Sequence, residues 1–205
     1  MVMWQRSSTK ITWLLILTNV IYFIYEIKMM GLNTIISGRE TSQALLQYGA
    51  GLGVVDLTDQ KYRLLTSMFM HASLDHIGSN MLTLFIFGRA LEWRFGAVRY
   101  LIIYFISGIV GNIASSLINP NVVSVGASGA IFGVIGGLTI SAFLTPKQTA
   151  IALGPMIFMV IWNLYDGFSD PSIDMLAHLG GLVSGVTLAT LFIILEVIFH
   201  LGKDH

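Results

Sequence analysis

Long apolar runs alternate along the chain with short polar stretches. Six of these runs approach or reach the roughly 20 residues that a helix needs to cross the hydrocarbon core of a bilayer. They cover about residues 11–27, 76–95, 100–118, 128–144, 149–165 and 175–199. The period-two alternation that is typical of membrane β-barrel strands is absent from the sequence. The pattern therefore predicts an all-α membrane protein built as a bundle of six transmembrane helices.

Turn signals decide where the central runs divide. Residues 100–146 contain no charged residue, and this stretch is too long for one membrane-spanning helix. The turn sequence NPN at 119–121 divides it into the third and fourth segments. Residues 28–75 form the one long connection, and their mixture of apolar and polar residues indicates a loop that lies partly in the membrane interface. We therefore expect residues 1–205 to form a single six-helix domain.

The composition agrees with a membrane protein and excludes several other classes. Hydrophobic residues make up 55% of the 205 residues and charged residues only 11%, whereas a typical soluble domain has about 25% charged residues. This balance excludes a disordered chain, a coiled coil and an ordinary cytosolic enzyme. Eleven basic residues balance eleven acidic residues, so no net charge attracts nucleic acid. The absence of cysteine excludes disulfides, cysteine nucleophiles and thiolate metal sites.

The distribution of lysine and arginine predicts the orientation in the membrane. Six spans place both termini on one side, and basic residues concentrate on the cytoplasmic side of membrane proteins. The terminal side would carry seven basic residues: Arg6, Lys10, Arg89, Arg94, Arg99, Lys147 and Lys203. The opposite side would carry four: Lys28, Arg39, Lys61 and Arg63. We therefore expect both termini to be cytoplasmic. The short termini and the lack of cysteine favour a bacterial cell membrane.

Polar side chains within the apolar segments are the candidates for chemistry, because burying them in hydrocarbon is costly. They are His76, Asn80, Asn112, Ser128, Asn163 and His178. In the predicted topology the second, fourth and sixth segments all run inward from the outer face. His76, Ser128 and His178 stand near the start of these segments. They would therefore share one depth, just below the outer surface.

A serine beside a histidine is the minimum for nucleophilic catalysis, because the imidazole takes the hydroxyl proton during attack and returns it to the leaving group. Ser128 lies in the small-residue sequence GASGA at 126–130, which would let a substrate backbone approach. A serine at a helix N-terminus also has free backbone N–H groups nearby for a developing oxyanion. His76 and Asn80 are four residues apart, share a helix face and can both donate hydrogen bonds. They suit the rest of an oxyanion hole.

Each of these residues also has a simpler structural explanation. A small-Ser-small stretch in a membrane helix is usually a packing surface, and an asparagine such as Asn80 more often joins two helices by a hydrogen bond. GxxxG pairs at 129–133 and 181–185 predict close helix packing. That packing would bring the segments of Ser128 and His178 within contact distance.

Two other functions stay open on the residues alone. His71, His76 and His178 could bind a metal ion together with Asp75, although the H-E-x-x-H motif is absent. A transporter or channel also places polar groups at the mid-depth of broken helices. Against that function, the sequence has neither inverted repeats nor paired acidic residues within its spans.

Five short motifs follow one another along nearly the whole chain. They are YR at 62–63, HASLDH at 71–76 with Asn80, EWRFG at 92–96, GASGAIFG at 126–133, and AHLGG at 177–181 with Gly185. In this order, and on these segments, they resemble the motifs of the rhomboid family of intramembrane serine proteases. The resemblance implies the compact six-span rhomboid fold, and the cleavage of transmembrane substrates near the outer membrane face.

The resemblance also implies a role for each residue of the candidate site. Ser128 matches the nucleophile, and His178 matches the general base of a two-residue dyad in which no acid orients the histidine. His76, Asn80 and the backbone N–H of Ser128 match the oxyanion hole. Phe132, one turn after Ser128, would stack on the imidazole.

The other matching residues support the site or the fold according to the resemblance. They are Gly126, Arg63, His71, Glu92, Arg94, Gly181 and Gly185. The family's Trp-Arg pair reads Tyr62-Arg63 here, which puts only the anchoring of the first loop in doubt. Transmembrane proteins and the lipid bilayer are the implied partners, nucleic acid is not one, and no cofactor or metal is implied. The oligomeric state stays open.

Overall fold

The computed structural model describes residues 9–32, 42–149, 153–169 and 173–201. Some features of the predicted topology lie outside these residues, namely Arg6, Arg39, Lys203 and residues 150–152 of the fifth segment. The side chain of Asn163 also lies outside the described part of the chain.

Helices make up most of the described chain, and the described part of the long first connection contains three short ones. Before this connection stands α1 (Lys10–Met30); within it lie α2 (Ser42–Gln47), α3 (Gly53–Thr58), α4 (Arg63–Thr66) and a 3-10 turn (Ser67–Phe69). The later elements are α5 (Leu74–Thr83), a π-helical turn (Leu84–Gly88), α6 (Arg89–Ile118), α7 (Ser128–Leu144), a 3-10 turn (Pro146–Gln148), α8 (Leu153–Ser169) and α9 (Met175–Leu201).

Three helical stretches among the described residues are long and apolar enough to cross a membrane. They are Lys10–Met30, Leu74–Ile118 and Met175–Phe199. The apolar helix Ser128–Leu144 is shorter, with 17 residues. The chain is therefore a mostly helical integral membrane protein with several candidate spans, and the division into six spans stays a prediction.

Gly96 interrupts the longest of these stretches. Its backbone has φ 77° and ψ 170°, far from helical values, so α6 consists of two helical parts that meet at a kink. A positive φ of this size is readily adopted only by glycine. The kink lies between the second and third apolar segments of the sequence, which end at residue 95 and begin at residue 100.

The described chain is mostly helical, as expected, with one exception that concerns the site. Strand β1 (Gly51–Leu52) pairs antiparallel with strand β2 (Val123–Ser124). Strands of two residues are too short to show an alternating pattern, so the sequence offers no signal for them. The pair joins the long first connection to the loop that leads into α7.

Helix α7 lies at the centre of the described fold. Every residue from 129 to 138 is buried, as expected of a helix that is apolar all round. Its close neighbour is α9, since a Cβ atom on Gly181 would collide with the carbonyl oxygen of Gly129, and one on Gly185 with that of Gly133. These glycines hold the two backbones in direct contact.

Three charged residues of the recognised motifs fasten elements to one another. The buried carboxylate of Glu92 accepts hydrogen bonds from the backbone N–H groups of Ile11 and Thr12, at 3.0 and 2.8 Å, and from the Thr12 hydroxyl at 2.7 Å. It therefore caps the N-terminus of α1 from α6.

The side chains of Arg94 and Arg63 also connect separate parts of the chain. Arg94 of α6 forms an ion pair of 2.9 Å with Glu196 of α9. Arg63 donates to the carbonyl oxygens of Leu46 and Ala50, at 2.7 Å each, and so closes the loop that precedes α4.

Candidate active site

Ser128 and His178 meet across the interface between α7 and α9. Ser128 is the first residue of α7 and His178 is the fourth residue of α9. The Ser128 Oγ lies 2.8 Å from the His178 Nε2, which is hydrogen-bonding distance. When Nε2 accepts a hydrogen bond from the Ser128 hydroxyl, the neutral His178 ring carries its proton on Nδ1.

Phe132 fixes the plane of the His178 ring. The two rings are stacked, with centroids 4.3 Å apart and planes inclined by 13°. Phe132 is four residues after Ser128, so it lies one turn further along the same face of α7. The His178 side chain is thereby held between a hydroxyl and an aromatic ring, and the residue is only 7% exposed.

The start of α7 adds electrostatic character to the site. Residue 128 follows the N-cap Ala127, so its backbone N–H is among those that have no acceptor within the helix. The positive end of the helix dipole also lies here. Negative charge that develops beside Ser128 would therefore meet backbone donors.

Gly126 brings the loop before α7 against the histidine of α5. Its φ is 119°, in the region that favours glycine. A Cβ atom at this position would lie 2.7 Å from the His76 Nε2 and 3.7 Å from the Ser128 Oγ. The Gly126 N–H donates to the Ser67 carbonyl oxygen at 2.9 Å, which fixes the loop in place.

Helix α5 carries the two residues that the sequence pairs as oxyanion donors. Its N-cap Ser73 accepts the His76 backbone N–H at 3.1 Å. The Asn80 side-chain amide donates to the His76 carbonyl oxygen at 2.8 Å. In the described part of the chain, neither side chain hydrogen bonds to Ser128; both line the cavity onto which Ser128 opens.

This cavity has a volume of about 570 Å³ and a mixed polar and apolar wall. Ser128 and His178 lie on its wall with His76 and Asn80, and the acidic residues Asp75 and Asp174 also face it. The space is large enough for water and for a stretch of peptide.

His71 supports the wall from behind. It is fully buried, and its ring meets the His76 ring edge-on with centroids 5.1 Å apart. Its backbone N–H donates to the carboxylate of Glu26 in α1 at 3.3 Å. Burial, aided by the neighbouring His76 imidazole, lowers the pKa of His71 to about 3, so this ring is neutral at ordinary pH.

The metal alternative has no support in the described ranges. Within residues 9–32, 42–149, 153–169 and 173–201, no three side chains of His, Cys, Asp or Glu are placed to hold a metal ion. Although His71 and His76 are in ring contact, they do not form such a group with His178 or Asp75.

The sequence missed three contributors to the site. Asn112 was singled out only as a polar residue in an apolar segment; in the structure its amide donates to the Leu64 carbonyl oxygen at 2.8 Å and to the Ser67 Oγ at 2.9 Å. It thereby holds the segment that binds Gly126. Ser67 itself carries no signal, because serine is common in loops. Asp174 directly precedes an apolar run, which is a helix N-cap signal.

Comparison with known proteins finds relatives along most of the chain. The family model described as "Rhomboid domain" matches residues 58–195. Rhomboid protease GluP of Bacillus subtilis is 36% identical over 166 residues, which cover 80% of this chain and 32% of GluP. Rhomboid-like protease 3 of Toxoplasma gondii is 30% identical over 189 residues, covering 90% of this chain and 68% of that protein. The putative rhomboid protease YdcA of Bacillus subtilis is 35% identical over 145 residues, covering 70% of this chain and 72% of YdcA.

The matched region is thus a minor part of the length of some relatives and the greater part of the length of others. This chain spans about a third of the length of GluP. The family match covers more than half of the chain, and two relatives match it over at least two thirds of their own length. On these grounds the chain belongs to the rhomboid family.

Proposed function

We propose that this protein is a serine endopeptidase that cleaves transmembrane substrates within the membrane. The observation that carries the proposal is the 2.8 Å contact between the Ser128 Oγ and the His178 Nε2, at the wall of a partly polar cavity in an integral membrane protein. The family relationship supports it, because one relative is named Rhomboid protease GluP and another Rhomboid-like protease 3.

The reaction divides into two steps that share one base. In the first, Ser128 Oγ attacks the scissile carbonyl carbon while His178 Nε2 takes the hydroxyl proton and then gives it to the leaving amine. This forms an acyl-enzyme and breaks the peptide bond. In the second, water from the cavity attacks the ester, His178 takes its proton, and the proton returns to Ser128 as the acid product leaves.

The charge on the tetrahedral oxyanion needs donors on the cavity side of Ser128. The backbone N–H of Ser128 at the start of α7 is one, and the His76 imidazole and the Asn80 amide are the others that we assign. Gly126 leaves room for the His76 imidazole near Ser128, because a Cβ atom at residue 126 would lie 2.7 Å from the His76 Nε2 and 3.7 Å from the Ser128 Oγ. Donors of this kind are most effective in a site that excludes bulk water.

The arrangement in the membrane is part of the same proposal. Residues 1–205 form one domain of six spans at about 11–27, 76–95, 100–118, 128–144, 149–165 and 175–199, with both termini in the cytoplasm. This topology places Ser128 near the outer face. The dyad works without a cofactor or a metal ion, and the bilayer presents the substrates.

Labelling with a fluorophosphonate tests the nucleophile, because this reagent reacts covalently with activated serines. The purified wild-type protein should be labelled and should cleave a transmembrane substrate. Ser128→Ala should lose both activities, and His178→Ala should lose cleavage, since an unactivated hydroxyl is a poor nucleophile near neutral pH. Any rate enhancement that remains over the uncatalysed reaction would come from substrate binding and the oxyanion donors alone.

Ser79→Ala is the matched control, since Ser79 also lines the cavity but is exposed and bonds to a backbone carbonyl. It should keep labelling and cleavage. Labelling that survives Ser128→Ala would refute the assignment of the nucleophile. A loss of cleavage with EDTA that Zn²⁺ restores would favour the metal alternative instead.

A further inference from the structure

We propose that Asp174 is a positioning residue for His178, whose carboxylate stabilises the imidazolium that forms during catalysis. The inference rests on the proposed protease function and adds a third, acidic group to the Ser128–His178 pair. It departs from the two-residue dyad that the family resemblance implies, in which no acid accompanies the histidine.

Two hydrogen bonds fix Asp174 against the turn that carries His178. The Asp174 Oδ1 accepts the Ala177 backbone N–H at 3.0 Å, as the side chain of an N-cap residue does. The Asp174 carbonyl oxygen accepts the His178 backbone N–H at 3.2 Å. The two residues are four positions apart, so their side chains stand on one side of the first turn of α9. The carboxylate is therefore held at a set place beside the imidazole.

Each of these two side chains has a buried polar atom without a partner in the described structure. One is the Asp174 Oδ2, an acceptor, and the other is the His178 Nδ1. The Nδ1 carries the proton when Nε2 serves the Ser128 hydroxyl, so it is a donor. An unpaired donor and an unpaired acceptor are costly to bury. Both residues face the same cavity, whose partly polar wall can hold a water that bridges the two atoms.

The reaction itself creates the charge that the carboxylate would stabilise. When His178 takes the Ser128 proton, a positive charge appears on a side chain that is only 7% exposed. Poor access to water weakens solvation and strengthens the attraction of a nearby negative group. The stabilisation is realised in the charged intermediate, where it lowers the barrier to attack.

Among the other described groups that line the cavity with His178, only one is acidic. Helix α7 contributes Ser128 and the apolar Phe132, and α6 contributes the uncharged Asn112. Helix α5 contributes His76 and one further acid, Asp75 in its first turn. Helix α8 faces the cavity with Met159. Asp75 therefore provides a matched comparison, because it is an acid of the same cavity on a different helix.

Asp174→Asn separates the charge from the helix cap. Asparagine is as good an N-cap residue as aspartate, so the Ala177 bond and the melting temperature should be preserved. The kcat should fall about tenfold or more while KM changes little, because only the charged intermediate is affected. The acidic limb of kcat/KM against pH should move to lower pH, since an imidazolium without its partner loses its proton more easily. Asp174→Ser gives a second uncharged cap, and Asp174→Glu should recover part of the rate.

Asp75→Asn is the control and should leave the acidic limb in place. A wild-type kcat and pH profile in Asp174→Asn, with the melting temperature also unchanged, would overturn the inference and leave Asp174 a simple cap. Equal effects of Asp75→Asn and Asp174→Asn would overturn it as well. They would indicate that His178 responds to the total negative charge of the cavity and not to Asp174 in particular. Ser128-dependent labelling of the wild type is measured first, so failure of the protease proposal itself is recognised separately.

Discussion

Three imidazoles lie near the candidate nucleophile, and their surroundings give them different tasks. His178 contacts the Ser128 hydroxyl and stacks on Phe132. His76 lines the cavity beside Gly126. His71 lies behind His76, fully buried, with its backbone tied to Glu26. One residue type thus supplies a proposed base, a proposed oxyanion donor and a neutral support.

The low pKa of His71 predicts a stability change with pH. Its pKa is about 3 in the folded protein, against an ordinary 6.5 that we take for the unfolded chain. Between these values the unfolded chain binds the proton more readily, so the fold loses stability as pH decreases from 6.5. At about 1.4 kcal/mol per pH unit, this residue should cost about 2 kcal/mol by pH 5. Thermal unfolding in detergent at pH 7 and pH 5 measures the loss.

His71→Gln provides the comparison, because glutamine fills a similar volume and does not titrate. The variant should lose less stability than the wild type between the two pH values, while the other histidines contribute equally to both proteins. An identical pH dependence in the two proteins would show that the buried imidazole is not the source.

Side-chain chemistry could be predicted from the sequence, but the hydrogen bonds that orient it could not. The predicted topology pairs Ser128 with His178 because it puts both at one depth, and in the structure the Ser128 Oγ lies 2.8 Å from the His178 Nε2. The bond from Gly126 to the Ser67 carbonyl joins two backbone groups. Every residue except proline offers such groups, so residue type gives no information about which of them pair.

At the scale of elements, α1 depends on a residue from a distant part of the chain. Its N-cap Thr9 makes no side-chain cap, and its first turn contains no acidic residue. Glu92 of α6 provides the acceptors instead. A local reading of the sequence finds Thr9, a residue type that often caps helices, but it cannot find Glu92, which lies some 80 residues away.

Glu92→Gln should therefore destabilise the fold without changing the chemistry of the site. The glutamine keeps one acceptor but loses the charge, and bonds to a charged group are the stronger ones, so we expect a loss of about 1–3 kcal/mol in the free energy of unfolding. Unfolding in denaturant measures the loss, and fluorophosphonate labelling of the still-folded protein should stay at the wild-type rate.

A double-mutant cycle with Thr12→Val isolates the interaction. The hydroxyl of Thr12 bonds directly to the Glu92 carboxylate, so the two substitutions should be coupled by about 0.5–3 kcal/mol. Strictly additive effects would mean that the bond between the Thr12 hydroxyl and Glu92 contributes nothing to stability.

Other elements were beyond prediction for a different reason. The kink at Gly96 and the pair of two-residue strands involve only one to four residues each. A hydrophobicity pattern needs a window of about 11 residues or more, so the long apolar runs predict α7 and α9 but cannot predict these features. The strands nevertheless tie the long first connection to the loop before Ser128.

For the whole molecule, polarity is arranged for a lipid environment. Large apolar side chains such as Leu14, Ile24 and Val183 are exposed, while Asn19 and Glu26 on α1 are fully buried. A soluble protein of this composition would expose a continuous apolar surface and aggregate. In a bilayer the same surface is solvated by lipid tails, while Asn19 bonds to the Leu15 carbonyl oxygen within α1 and Glu26 accepts the His71 backbone N–H.

The absence of cysteine makes the predicted orientation directly testable. Single cysteines at Asp59 and at Lys147, both exposed, would be the only thiols in the protein. With the termini in the cytoplasm, a membrane-impermeant maleimide should label Asp59→Cys on intact cells and Lys147→Cys only after lysis. The reverse pattern would invert the topology, and labelling of both on intact cells would contradict six spans.

The glycine contact between α7 and α9 also bears on how such a protein can evolve. In many enzymes the residues that favour activity differ from those that favour stability. A mutation that raises the activity then often lowers the stability, and the reverse. Here the approach of Gly181 to Gly129, and of Gly185 to Gly133, packs the two helices and also sets the spacing of Ser128 and His178. A side chain added at this contact would both lower the stability of the fold and move Ser128 away from His178. Selection for a stable fold and selection for turnover therefore act on the same positions in the same direction, and adaptation to new substrates is left to the cavity wall.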